Sequence, residues 1–200
     1  MMRHDLLTRL KSETANHHAQ LENALDLMRE SWSLDDYIAL LEGFYGYVAA
    51  WENAAAAHMP DHLRAFFDAR RKTALLASDL AFLTGDSGRS AVLSMAKELP
   101  PLDTMGRLMG SMYVMEGSTL GGRFIAPHMA ALFHLDTGRG NAYFEGYGPR
   151  TGSMWNTFRD TASAMVPASQ YDMAVTSAIA TFDGLHAWLC DVREGTGAAA

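Results

Sequence analysis

Two hundred residues, 48% hydrophobic and 20% charged, make about one ordinary domain with enough apolar material for a core. Sixteen Lys and Arg against twenty-three Asp and Glu leave a formal charge of -7, so no broad electrostatic grip on nucleic acid or anionic lipid is expected, and an anionic ligand would need a local cationic cluster. One cysteine, Cys190, excludes an intrachain disulfide framework and a Cys-rich zinc or iron–sulfur site, which fits a reducing, cytoplasmic setting. The stretch MMRHDLLTRLKSET lacks the uninterrupted apolar run of a signal peptide or a membrane span, so neither export nor membrane attachment is expected.

Residues 3–28 place Leu7, Leu10, Thr14, His18, Leu21 and Leu25 three or four apart, the period of one face of an amphipathic helix. Ser33 followed by Asp36 predicts an N-cap for a second helix reaching about Ala57, with Tyr37, Leu40, Leu41, Phe44 and Val48 inward. Pro60 opens a third, carrying Leu63, Phe66, Phe67, Ala74, Leu75 and Phe82 and ending near Gly85. A short helix is expected over 89–98, and after Pro100-Pro101 a glycine-interrupted helix over 103–133. Residues 136–150 read as a loop, and helices over 153–165 and 169–192 follow. Few segments alternate or are rich in Val and Ile, so the fold class is all-α: one domain over 1–192, with 193–200 as a frayed tail.

Two features carry chemistry. His18 shares its stripe with leucines and is expected to point inward, while His17 is turned about 100° away. Lys11 lies two turns before His18, so one face offers a metal-binding nitrogen and a cation; a hydrogen-bonded core histidine and a snorkelling lysine are the plainer alternatives. Glycines at 106, 110, 117 and 121 line one helical face, with Gly122 alongside. Each costs roughly 1 kcal/mol against alanine in a helix interior, so something must require bare backbone there: close helix packing, or a flat ligand lying on the main chain of a kinked helix. Arg107, Glu116 and Arg123 argue against membrane dimerisation. Gly117 to Arg123 comes near a phosphate loop, but Arg123 and Phe124 stand where Lys and Ser/Thr are needed. His58 and His62 have metal-like spacing around Pro60 and are read as surface residues, and Cys190 as a buried one.

His18-Ala-Gln-Leu-Glu22 near the start, and Glu116-Gly-Ser-Thr-Leu-Gly-Gly-Arg123 about one hundred residues later, resemble the haem oxygenase family, especially its bacterial, phytochrome-associated branch. The resemblance runs from about Leu6 to Leu189. It implies a helical bundle holding haem b, both substrate and cofactor, between a proximal helix with His18 as the iron ligand and a kinked distal helix whose glycines match Gly117, Gly121 and Gly122. Lys11 and Arg159 match cationic positions at the propionates, Phe182 matches a pocket wall, and Arg123 and Arg150 are further cations near it. The implied reaction consumes O2 and electrons from ferredoxin or another reductase and yields biliverdin, CO and Fe2+. His18, Gly117, Ser118 and Gly121 are its catalytic candidates, a redox protein its implied partner, and a bacteriophytochrome a candidate bilin acceptor.

Ser118 departs from better-known members, which carry aspartate at that position to organise water for proton delivery. A haem- or bilin-binding protein without catalysis is therefore the alternative reading. A helical relative serving thiamin or quinone-cofactor metabolism is a third, disfavoured by the pairing of His18 with the glycines.

Overall fold

The computed structural model describes residues 5–197 and shows, among them, α-helices and short 3-10 turns with no β-strand. The first amphipathic segment is divided into α1 (Asp5–Glu13) and α2 (Ala15–Leu25). The cause is Thr14 between them, whose hydroxyl and amide both donate to the Leu10 carbonyl, at 2.6 and 3.1 Å. A hydroxyl competing with the backbone ladder bends a helix at that turn. After Asp26 in the left-handed region, α3 (Leu34–His58) begins at the expected capping box, with Asp36 N donating to Ser33 Oγ at 3.0 Å.

The expected third helix is two. A 3-10 turn over Asp61–Leu63 leads into α4 (Arg64–Asp68), and α5 (Thr73–Thr84) follows a break. The buried Glu52 carboxylate of α3 makes that break: it accepts from the amides of Lys72 and Thr73 and from the Thr73 hydroxyl, starting α5 from outside its own sequence. The helix expected over 89–98 is only a 3-10 turn, Arg89–Val92, and the chain beyond runs against α3, where Ala96 N donates to the Gly46 carbonyl at 3.1 Å. A Cβ on Gly46 would stand 2.4 Å from Ser94 O, so glycine admits this backbone.

α6 (Met105–Phe133) is capped by the Thr104 hydroxyl and stays helical through all its glycines and Pro127. The loop expected over 136–150 contains α7 (Ala142–Glu145), whose first amides donate to the buried Asp79 carboxylate at 2.9 and 2.8 Å. Burial pushes the Asp79 carboxyl up, against the pull of these backbone donors. α8 (Thr151–Met165) and α9 (Tyr171–Gly197) complete the chain. α9 continues five residues past the expected end at 192, and 198–200 lie outside the described residues.

α9 is the central post. Gly106 of α6 abuts Gln170 and Gly110 abuts Ala174, while Ser177 Oγ donates to Arg107 O and Ser111 Oγ lies 2.7 Å from Thr181 Oγ1. Residue numbers rise together along the two helices, so they run parallel. Arg9 meets Asp172 and His17 meets Asp183, so α1 and α2 share that direction. α3 runs opposite, tied by Tyr47 OH to Thr181 O and by Trp188 Nε1 to Gly43 O. Tyr37, Tyr47, Phe67, Phe158 and the leucines of α1, α3 and α5 fill the core between them. Among the described residues no helix is long and apolar enough to cross a membrane.

Candidate functional site

Leu10, Thr14, Leu21 and Leu25 are buried, as their stripe requires. His18 is not: its side chain is 55% exposed, contrary to the inward orientation expected from the same stripe. The packing that covers the stripe on either side does not extend over the imidazole, which stands beside the Phe182 ring of α9, centroids 5.4 Å apart and planes at 34°. Its Nε2 lies 3.2 Å from Glu22 Oε1, one turn on. Both side chains are exposed and the contact lacks hydrogen-bond alignment, so the ring is not locked and a ring nitrogen stays available to a ligand. The neighbouring His17 is the more covered, at 29%, and its Nδ1 is held 2.5 Å from Asp183 Oδ1, so it fastens α2 to α9.

The glycines of α6 divide. A Cβ on Gly106 would stand 2.6 Å from Gln170 O, and one on Gly110 or Gly122 would stand 2.0 Å from Ala174 O or Phe144 O. Those three admit a neighbouring backbone. Gly122, expected beside the ligand, thus faces α7. At Gly117 the nearest atom is Trp155 Cη2 at 3.9 Å, and at Gly121 it is Ile125 Cδ1 at 3.6 Å, a residue of the same helix. No neighbouring backbone demands glycine at either. Extending the α6–α9 register seven residues beyond the Gly110–Ala174 and Ser111–Thr181 contacts brings Gly117 and Ser118 alongside the stretch of α9 containing Phe182 and Asp183, the level at which His18 meets α9.

The aromatic wall next to Gly117 is Tyr113, Trp155 and Phe158, with Trp155 stacked on Phe158 at 5.5 Å. Burial raises the Tyr113 hydroxyl, and the positive charge of Arg159, one residue after Phe158, opposes that rise. Arg159 is exposed on α8, and Lys11 is exposed on α1, which packs on α8. Neither forms an ion pair among the described residues. Arg123 and Arg150 are exposed, with no contact joining them to His18 or Gly117. Ser118 is exposed, and its hydroxyl donates to Met115 O at 2.9 Å, which leaves its oxygen free to accept.

A group of charges behind the glycines was not foreseen. Glu116, directly before Gly117, is buried and meets Lys72 Nζ at 2.8 Å, Tyr147 OH at 2.6 Å and Arg70 Nε at 3.2 Å, the last without hydrogen-bond alignment. Glu52 stands on the other side of the same Arg70-Arg71-Lys72 run. The signal was two acidic residues inside apolar helices and one basic triplet in an acidic chain; only the fold brings them together.

The heme oxygenase family model matches residues 4–191. The structure is similar to the heme oxygenase from Leptospira interrogans, with 18% identity, a TM-score of 0.78, and 93% of this chain and 98% of that one covered. It is similar to heme oxygenase-2 from Synechocystis, solved in complex with heme and NO, at 18% identity and a TM-score of 0.78 over 98% and 88% of the two chains. The NO- and CO-bound heme oxygenase from Neisseria meningitidis is similar at 19% identity and a TM-score of 0.73, with coverage of 94% and 91%. No curated protein sequence matches the chain. Identities this low speak for a shared fold, while the family match spans almost every residue, and on that ground the chain belongs to the heme oxygenase family.

Proposed function

We propose that the protein is a haem-degrading oxygenase with His18 as the iron ligand. The observation that carries this reading is the accessible imidazole beside Phe182, at the level of two helical glycines that no packing contact explains. Among the described residues no three His, Cys, Asp or Glu gather into a metal cage, so a metal at His18 must bring most of its own donors, as a metalloporphyrin does. The fit extends to charge: Lys11 and Arg159 are exposed cations on adjoining helices with no ion pair among the described residues, suited to two carboxylates at a ring edge.

Bound haem supplies the iron at which O2 is reduced by electrons from a ferredoxin or another reductase, and the porphyrin that is opened to biliverdin, CO and Fe2+. The chain's residues position and exclude. Glu22 places a carboxylate beside the His18 ring, Phe182 walls the proximal side, and Gly117 and Gly121 present main chain without a side chain that could compete for the iron. Ser118 holds a water through its free acceptor sites, so proton delivery passes through solvent and not through a carboxylate at this position. A bacteriophytochrome as bilin acceptor and a cytoplasmic location follow from the sequence resemblance and the cysteine content alone.

The test is to titrate ferric haem into the protein and into His18→Ala, follow the Soret band, then add ascorbate or ferredoxin with its reductase in air. The expected result is a His18-dependent spectrum followed by bilin absorbance. A stable complex that never opens its ring makes the protein a binder only, and no complex removes the reading.

A further inference from the structure

Behind the glycine face, four charges are buried in balance: Glu52 and Glu116 against Arg70 and Lys72, with the half-exposed Arg71 at the margin. Glu116 accepts from Lys72 Nζ and Tyr147 OH, and Lys72 Nζ also donates to Arg70 O at 3.0 Å and lies 3.2 Å from the Tyr147 hydroxyl. Arg70 is pinned by Phe66 O at 2.8 Å and Met154 O at 3.2 Å, its guanidinium 3.7 Å from the Phe66 ring centre. These side chains are buried and hydrogen-bonded, so removing one charge leaves its partner unbalanced in a medium that screens poorly. The residue after Glu116 is Gly117, on the ligand-facing side of the same helical turn.

We propose that Glu116 is a positioning residue: paired with Lys72, it sets the electrostatic balance behind the Gly117 face and thereby the strength with which an anion is held on the distal side of the haem. This rests on the reading that the pocket binds haem through His18. Removing the carboxylate leaves Arg70 and Lys72 in excess and favours a distal anion. Removing Lys72 takes one positive charge from behind that face and disfavours it. Burial makes both effects largely independent of ionic strength, unlike those of surface charges.

Azide is the probe, titrated into ferric haem-loaded protein and followed by the Soret shift. Glu116→Gln is expected to tighten azide by about fivefold, Lys72→Met to loosen it by about as much, and the double variant to lie within about twofold of wild type. Tyr147→Phe removes a hydrogen bond from Glu116 at constant charge and is expected to leave azide affinity unchanged. The shifts should persist at about 0.5 M salt. Far-UV circular dichroism verifies folding, and if Glu116→Gln does not fold, the contrast between Lys72→Met and Tyr147→Phe decides. Shifts of the same sign in both charge variants, a Tyr147→Phe effect as large as theirs, or no shift at all would overturn the proposal. A wild type that takes up no haem overturns the underlying reading and this one with it; wild-type binding with charge-blind azide affinity overturns this one alone.

Discussion

The two halves of α6 use glycine for opposite ends. In the first half, Gly106 and Gly110 let the backbone of α9 come so close that a methyl group would overlap its carbonyls. Around Gly117 and Gly121, among the described residues, no neighbouring backbone comes close, and a Cβ would meet only the Trp155 ring at 3.9 Å and Ile125 Cδ1 at 3.6 Å. One glycine stripe in the sequence therefore contains a packing seam and, as we propose, a ligand shelf, and Gly122 returns to packing one residue after Gly121. Helical spacing cannot separate these uses, because the neighbours that distinguish them, Ala174 and Phe144, lie far along the chain.

The comparison is broken most forcefully at the seam. Gly110→Ala places a Cβ 2.0 Å from the rigid Ala174 backbone, so the helices must separate. A loss of about 3 kcal/mol in urea unfolding is expected, even after the roughly 1 kcal/mol that alanine returns in helix propensity. Neutral or increased stability would show that α6 and α9 are not clamped at this point.

The next effect concerns α7, which closes Gly122. Asp79→Ala removes the acceptor for the amides of Ala142 and Tyr143 and is expected to lower stability by about 2 kcal/mol. With α7 loosened, Gly122→Ala should cost less in the Asp79→Ala background than in wild type, since Phe144 O is then free to retreat. Strict additivity in the double-mutant cycle would mean that Asp79 does not hold Phe144 against α6.

Local signals carried much of the fold into the sequence. Ser33 and Asp36 are three residues apart and make their own cap, and Gly85 ends α5 with its own left-handed backbone, so both were legible. The misses share a cause, which is that their partners are distant. Glu52 splits the third helix from another element, Asp79 winds part of a glycine-rich loop into α7, and the Gly46 groove draws residues 93–96 out of helix. His18 inverts the lesson. Period alone sends it inward with its leucines, yet whether a stripe position is covered depends on what packs there, and at residue 18 the Phe182 ring stands beside an imidazole that stays 55% exposed.

At the pocket's edge the expected effects are smaller. Lys11→Ala and Arg159→Ala should each weaken haem binding by about fivefold, in the range of exposed charge pairs, and leave apo-protein unfolding unchanged. Wild-type affinity in both variants would detach these cations from the shelf side of α6.

The smallest change in stability is the sharpest test of the shelf. Alanine at residue 121 meets only Ile125 Cδ1, at 3.6 Å, an ordinary contact with the movable end of a side chain on its own helix. Nothing in the apo protein then opposes the propensity gain, and Gly121→Ala is expected to stabilise it by about 1 kcal/mol in urea unfolding, opposite in sign to Gly110→Ala on the same helix. The added methyl projects where a ligand would lie against the main chain, so haem affinity or bilin formation should fall in the variant that folds better. Stability and function moving together, in either direction, would reduce Gly121 to another packing glycine and erase the difference between the two halves of α6.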